Sequence, residues 1–493
     1  MTTLERMAAF AAGLRLPDIP ARVREKARWQ LASVLGASFG GLHDPGARAV
    51  LAYARATGGG GAARVLAGGF RTARAAAVLA NAAVSCTFDY DEILLLGHPG
   101  HSAVTVPLVL GEELGATYGD VLAAQVAADE VMGRLGLATV LGPQNGQLLP
   151  FLHCAGAAVA AGRLLGLDAT RMAHALAVAL AQPPAPLWPS FLGGFDVKVL
   201  TAAHGAAMGV TAAGLAQGGF TGALDLLDHP RGFFHRFAFV PFPRALGGLG
   251  RAWLTDTLQV KLHAACWYYQ ALLDAAIAAR AELAAARGRP LAAADVTRVL
   301  TRVGFLAIAV DAAERDRPRD RLTANEVNFS IPAAVALALL GGRLVPADLD
   351  PAALAAREAD VRALAARTAV VHDRHHTRRL LETLDGALDL AGLVGSASLA
   401  DLGRAARAIR TEFPQHGTVR AGDVLASVAS APMLLARYHR GRGDYDLGAH
   451  DLANLTLPIS ATLELTLADG RRVEVTRDIP AGALTLPDAP ARV

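Results

Sequence analysis

Cysteine is scarce in this 493-residue chain: Cys86, Cys154 and Cys266 are odd in number and far apart. Such a set supports neither a disulfide framework nor a C-x-x-C metal site, and it cannot ligate an iron–sulfur cluster. Aromatic residues make up 5% and charged residues 18%, so the core is expected to be aliphatic. Lysine is rare, because nearly all of the 47 basic residues are arginine. The formal net charge is only +3, and no basic block or aromatic-basic stripe is present, which argues against a nucleic-acid partner. The start, MTTLERMAAF, carries Glu5 and Arg6 where a signal peptide needs an apolar run. No uninterrupted apolar run of about 18 residues reads as a membrane span. The expected location is the cytoplasm, away from membranes. There is no G-x-G-x-x-G following a strand, so no nucleotide cofactor is expected.

What is abundant is apolar: 53% of the residues. To about residue 250 the chain repeats apolar positions at helical spacing, as in REKARWQLASVLGASFGG and YGDVLAAQVAADEVMGRLGLATVL. These helices are rich in Ala and Gly and should pack closely. Beyond residue 255 the pattern changes. Asp295–Val310 and Thr368–Asp373 read as strands. Ala461–Ile479 reads as a hairpin, two alternating runs around Asp469-Gly470. The expected fold is mainly α: a large all-helical domain over 1–257 and a smaller α+β lid domain over 258–376. A helical segment over 377–455 is expected to pack with the helical domain, and a C-terminal hairpin in 456–493 to complete the lid sheet.

Three polar insertions stand out against this background. The first is FDYDEILLLGHPGHSAV, Phe88 to Val104. Pro99 and Gly100 force a turn there, so His98 and His101 can converge. Imidazole titrates near neutrality and suits proton transfer. Asp89 or Asp91 could orient such a histidine. No sharp ligand spacing points to a metal, and none is expected. The second is GGFDVKVLTAAHGAAMGV, in which Lys198 stands alone near the start of an Ala-rich helix. The helix dipole prefers anions at that end, so this lysine is better explained by a ligand carboxylate. The third is QVKLHAACWYYQALLDA, where Lys261, His263, Cys266, Trp267, Tyr268 and Tyr269 gather at the apparent domain junction. Such junctions are preferred pocket sites. Plain structural roles compete at each position: a polar loop, a snorkelling surface lysine, an aromatic packing face.

Taken in order, these segments resemble the 2-methylcitrate dehydratase (MmgE/PrpD) family. The resemblance runs over most of residues 4–370, through DYDE and GHPG, AGAAVAAGRLLGLDATRMAHALAVA, DVKVLTAAHGAAMGVTAAGLAQGGFTGA, HPRGFFHRFA, VKLHAACWYYQALLDA and NEVNFSIPAAVALALLGGR. It implies an enzyme, a lyase or isomerase, that works without a cofactor on bonds next to a carboxylate, by dehydration, decarboxylation or epimerisation. It implies a homodimer and an active site between the helical and lid domains. Carried over, Asp89 resembles the family's active-site aspartate, His98 its proton-moving histidine with His101 as runner-up, and Lys198 and Lys261 its two lysines. Asp89 would orient His98.

Several positions depart from the family pattern. A loop histidine is replaced near Gln147, another histidine at or near Cys266, a tyrosine by Ala333 and a threonine by Ile93. These losses point to a small carboxylate or carbonyl substrate that is less charged and more apolar, with Trp188 and Trp267 lining its pocket beside His101, His263, Cys266 and Tyr268. A biosynthetic offshoot performing isomerisation or cyclisation, or a non-catalytic member, remains the alternative.

Overall fold

A computed structural model describes residues 1–95, 97–143, 150–185, 195–315, 320–395, 397–412 and 445–486. The described chain is mainly helical, with a two-stranded and a four-stranded sheet. Gln147 and Trp188 lie outside the described residues.

Six helices position the site. They are α1 (Ala21–Gly40), α2 (Arg74–Ser85), the short α3 (Gly100–Ala103), α4 (Tyr118–Ala138), α5 (Pro150–Leu164) and α6 (Leu200–Gln217). Small residues let them approach closely. A Cβ added at Gly205 on α6 would sit 2.5 Å from the Pro150 carbonyl on α5, and one at Gly209 would collide with the Cys154 carbonyl. The segment Asp196–Gln217 is long and apolar enough to cross a membrane by length and composition alone. Just over half of its apolar window is buried, and it packs against α5 and α2, so its apolarity is accounted for by core packing.

The α4 helix carries a fully buried ion pair. Arg134 donates to the Glu130 carboxylate and to the carbonyls of Gly247, Gly248 and Ala252. The remaining Glu130 acceptors take the N–H groups of Leu254 and Thr255 and the Thr255 hydroxyl. One charged pair thereby fixes the irregular stretch 247–255, which leads into the segment bearing Lys261.

The first sheet is a small hairpin of β1 (Ala63–Val65) and β2 (Phe70–Thr72). In the second, the order is β4-β3-β5-β6, with β3 Val296–Val303, β4 Thr368–His372, β5 Ala461–Leu467 and β6 Arg472–Arg477. β3 runs parallel to β4 and antiparallel to β5. Gly470 closes the β5–β6 turn at φ 83°, a conformation that glycine adopts without strain. The strand expected over Asp295–Val310 is shorter than the sequence suggested. It ends at Val303, and Phe305–Arg315 is a helix. Apolar runs of this length do not distinguish strand from helix by periodicity; here Gly304 separates the two. Helix α7 (Gln270–Arg287) packs on β5 and β6, while α8 (Ala324–Phe329) and α9 (Ile331–Gly341) follow in the same half of the chain.

Candidate active site

The stretch after α2 is strained. Asp89 and Leu95 sit at φ 51° and 55°, left-handed values that L side chains rarely adopt, and only Asp389 among other non-glycine described residues does the same. Strain of this kind persists where the surroundings hold it, and it clusters at functional sites. Here the holding groups are visible. Asn328 on α8 donates to the carbonyls of Phe88 and Ala264, Thr257 accepts from the Leu95 N–H, and Ile93 pairs with Gln259 through their backbones.

This scaffold brings Asp89, Asp91, His98, His101, Lys198 and Lys261 together. Lys261 Nζ lies 2.9 Å from Asp89 Oδ2 and 3.5 Å from Asp91 Oδ1, and it donates to the Asp89 carbonyl at 2.8 Å. Lys198 Nζ is 3.8 Å from Asp89 Oδ1 and 4.7 Å from the Phe329 ring centroid, a cation–π geometry. It is buried, and among the described residues it has no hydrogen-bond acceptor. His98 Nδ1 is 2.7 Å from Asp91 Oδ2 and 3.0 Å from the Glu92 carbonyl. The aspartate that holds His98 is therefore Asp91; Asp89 is committed to the two lysines.

Both partners of Nδ1 are acceptors, so Nδ1 carries a proton, and in the neutral imidazole Nε2 is the nitrogen with the lone pair. At 17% side-chain exposure, His98 is the most open of the imidazoles in the cluster. His101 is buried on α3, with Nε2 3.3 Å from the same Asp91 oxygen and Nδ1 3.0 Å from Ser85 Oγ. His153 on α5 adds a third ring, 5.9 Å from that of His101, and its Nδ1 is 2.9 Å from Ser102 Oγ.

Electrostatics follow from burial and charge. Burial pushes the Asp91 carboxyl up, but Lys261 and the histidines together hold it well below the ordinary range. Asp89 is likewise raised by burial and lowered, on balance, by Lys261 and Lys198. Burial holds His101 neutral, down to about 4. The Cys266 thiol is pushed up to about 12 by burial and the Asp89 charge, so it stays protonated and unreactive.

A second layer of acids stands behind the turn. Glu92 Oε1 accepts from the Gly100 N–H at 2.7 Å and from Gln30 at 3.1 Å, and the Gln30 amide also reaches Asp129 at 2.9 Å. A Cβ at Gly100 would collide with both Glu92 oxygens and Val34, so a larger residue in the HPGH turn would have to displace them. Burial and the Asp91 charge raise Glu92 to about 7 from 4.5, and burial raises Asp129 further above its usual range. A carboxyl with a raised pKa binds its proton more tightly in the folded state. Its contribution is complete at low pH and is lost as pH climbs from about 4.5 to about 7, on the order of 3 kcal/mol for Glu92. Glu92→Gln should flatten that loss, measured as unfolding free energy at pH 5 and pH 8. An unchanged pH slope would contradict the reading.

Asp89, Asp91 and His98 offer ligand atoms within 4.8 Å of one another. Their oxygens and Nδ1 are already engaged with Lys261, Lys198 and each other, a donor set that fits a protein cation better than a metal ion. Among the other expected residues, His263 is bonded through Nε2 to Asp274 at 2.9 Å, and Trp267 and Tyr268 belong to the hydrophobic core. Cys266 is buried, and its N–H donates to the Asn328 carbonyl. Ile93 and Ala333 are buried too. A solvent-open cavity of about 380 Å³ lies elsewhere, among Arg22, Arg251, Asp256 and His450. It shares none of these residues, and its arginines pair with Asp256 and Asp446.

Comparison with known proteins identifies the family. Residues 5–241 match the profile described as MmgE/PrpD N-terminal domain, and residues 263–386 match the MmgE/PrpD C-terminal domain. Two curated relatives are the cis-aconitate decarboxylases of Aspergillus terreus and of A. terreus strain NIH 2624 / FGSC A1156. Each is 28% identical over 277 residues, 52% of this chain and 56% of the relative. The chain thus spans little more than half the length of the curated relatives it matches.

Proposed function

The chain belongs to the MmgE/PrpD family, and on that premise we propose that it is a cofactor-independent lyase or isomerase moving a proton next to a carboxylate or carbonyl. It would act as a homodimer, with the α+β part serving as a lid on the helical part. The observation that carries this reading is the buried Lys198 ammonium, which among the described residues has no hydrogen-bond acceptor and lies 3.8 Å from Asp89 Oδ1. A cation in that position, paired with Asp89 only at 3.8 Å, suits a substrate carboxylate or a developing enolate oxygen. His98 Nε2 then removes or returns the proton, and the fixed cation stabilises the charge that builds up.

The charges also bear on the substrate. Two ionised carboxylates, Asp89 and Asp91, face two ammoniums, Lys198 and Lys261. With that balance, one further anionic group is accommodated more readily than three. Together with Ile93, Cys266 and Ala333, which offer no polar side chain for extra carboxylates, this favours a substrate with a single anionic or carbonyl handle and an apolar remainder. The relatives' named substrate, cis-aconitate, should be turned over poorly, and 2-methylcitrate likewise. Losing two charge-assisted hydrogen bonds would cost roughly 3–6 kcal/mol, or about two to four powers of ten in rate.

The test is product analysis with a panel of mono-, di- and tricarboxylic acids, before and after dialysis against a chelator. On any acid turned over, His98→Gln and Lys198→Met should each lower the rate about a hundredfold or more. Cys266→Ala should change it by less than about threefold, since the protonated thiol has no part in the chemistry. Rapid turnover of 2-methylcitrate, or a loss on chelation that one metal restores, would overturn the respective parts of the proposal.

A further inference from the structure

Lys198 and Asp89 stop short of contact. A charged N–H···O pair closes to about 2.7–2.9 Å, yet Lys198 Nζ stands 3.8 Å from Asp89 Oδ1. On its other side is α8. The Phe329 ring lies under the ammonium, with 4.7 Å from Nζ to the ring centroid. The neighbouring Asn328 holds the Phe88 carbonyl at 3.0 Å, just before the left-handed backbone of Asp89. We propose that Phe329 is a positioning residue whose ring holds the Lys198 ammonium off Asp89 and so leaves its N–H donors open to an incoming carboxylate. The inference rests on the reading of Lys198 as the substrate anchor and assigns the group that keeps that anchor available.

A carboxylate and a ring face stabilise a buried cation differently. The carboxylate accepts directed hydrogen bonds and competes for them with any anionic ligand. The ring attracts through its quadrupole and offers no lone pair, so the three N–H donors of the ammonium stay uncommitted. Lys198 is 5% exposed and Phe329 6%. Without the ring, the ammonium would have given up its water for one oxygen at 3.8 Å. Asp89 is fixed from its own side, because Lys261 Nζ lies 2.9 Å from Oδ2 and donates to the Asp89 carbonyl at 2.8 Å. Lys198, on a flexible four-carbon stem, is the partner free to close the gap. The buried thiols that share its field, Cys86 and Cys266, are both pushed up to about 12 by burial, so neither offers it an anion.

Phe329 is itself anchored. Its carbonyl accepts from the Tyr269 hydroxyl at 2.8 Å. One residue earlier, Asn328 donates to the Ala264 carbonyl at 2.9 Å and accepts from the Cys266 N–H at 2.9 Å. The short helix α8 therefore touches the Asp89 turn, Lys198 and the stretch that follows Lys261. Asn328 sets the acid and Phe329 sets the lysine, and because the two residues are adjacent the 3.8 Å gap is fixed by one element.

The chain contains three lysines, Lys26, Lys198 and Lys261, so protein labelled with 13C at lysine Cε gives three such signals, and Lys198→Met assigns the one of interest. Butyrate, a monocarboxylate with an apolar remainder, serves as the probe and should shift the Lys198 signal to saturation. The Lys26 signal, from a side chain bonded to the Asp256 carbonyl, should stay in place. Pentafluorophenylalanine at position 329 keeps the shape of the ring and reverses its quadrupole. It should weaken butyrate about tenfold, as should Phe329→Leu, whereas Phe329→Tyr keeps the face and should bind within about twofold of the native protein. In a crystal structure of Phe329→Leu, Lys198 Nζ should close on Asp89 Oδ1 to about 2.8 Å. If Phe329→Leu does not fold by near-ultraviolet circular dichroism, the fluorinated protein supplies both the affinity and the structure. Native butyrate affinity in the fluorinated protein overturns the proposal, even where Phe329→Leu is weakened, because the ring would then act by packing alone. An unchanged gap of 3.8 Å in the variant structure overturns it as well. Closure of the gap in a protein whose native form binds neither butyrate nor any other acid at Lys198 supports Phe329 as the support of that lysine and sinks the proposed function instead.

Discussion

Lys261→Met should abolish turnover and lower the unfolding free energy by about 3–5 kcal/mol, as expected when one partner of a buried ionic cluster is removed. Lys261 Nζ is enclosed, with its closest contacts to Asp89 Oδ2, the Asp89 carbonyl and Asp91 Oδ1. Methionine fills the space of the stem but leaves two buried carboxylates facing each other, with only the more distant Lys198 and the imidazoles to offset them. Lys261 is held charged because Asp89 and Asp91 overcome the burial that would lower its pKa. Without it both acids must rise, and a raised acid favours folding only while it keeps its proton. The destabilisation should therefore be larger at pH 8 than at pH 5, read by denaturant unfolding at the two values. An equal loss at both would mean that the carboxylates find another cation. Turnover fails for a second reason: a protonated Asp91 no longer fixes the His98 tautomer.

Arg134→Met should cost a similar amount, about 3–5 kcal/mol, by a route that does not touch the site. Both ionic partners are inaccessible to solvent. Removing the guanidinium strands the Glu130 charge and leaves the carbonyls of Gly247, Gly248 and Ala252 without that donor. Adding Glu130→Gln to the variant should restore part of the loss, because the uncompensated charge goes while an acceptor for Leu254 and Thr255 remains. The non-additivity of the double variant is the measurement. Two losses that simply sum would contradict the pair as described.

Much of this site could be picked out of the sequence because it is polar in an apolar, lysine-poor chain. Lys198 and Lys261 are conspicuous for that reason, and the DYDE and HPGH clusters are local in sequence. What escaped the sequence depends on long-range packing. The Gln30 amide reaches an acid 99 residues away at Asp129, and no periodicity announces such a contact. Ser85 looks like an ordinary helix-end serine until α2 meets α3. His153 stands in the segment leading into AGAAVAA, where the sequence draws attention to Gln147 instead; one turn inside α5, it reaches the imidazole cluster by packing. The division of labour between Asp89 and Asp91 was equally hidden, because it is set by the left-handed turn at Asp89. In the sheet, the Asp469-Gly470 turn signalled the hairpin, whereas the end of β3 at Val303 was obscured by the apolar helix that follows directly.

The strand order β4-β3-β5-β6 has a consequence for how the chain is made. β5 lies against β3, yet 157 residues separate Val303 from Ala461. A ribosome adding about 5–20 residues per second needs roughly 8–30 s to cover that interval. Throughout it, the N-terminal helices have left the exit tunnel and can pack, while the β5-facing edge of β3 offers unpaired backbone groups flanked by Val296, Val299 and Val303. Open apolar edges of this kind recruit other strands. A message truncated before codon 461 would leave that edge open permanently, so such products should be cleared by proteases or collect in aggregates even though every residue named in the site has already been synthesised.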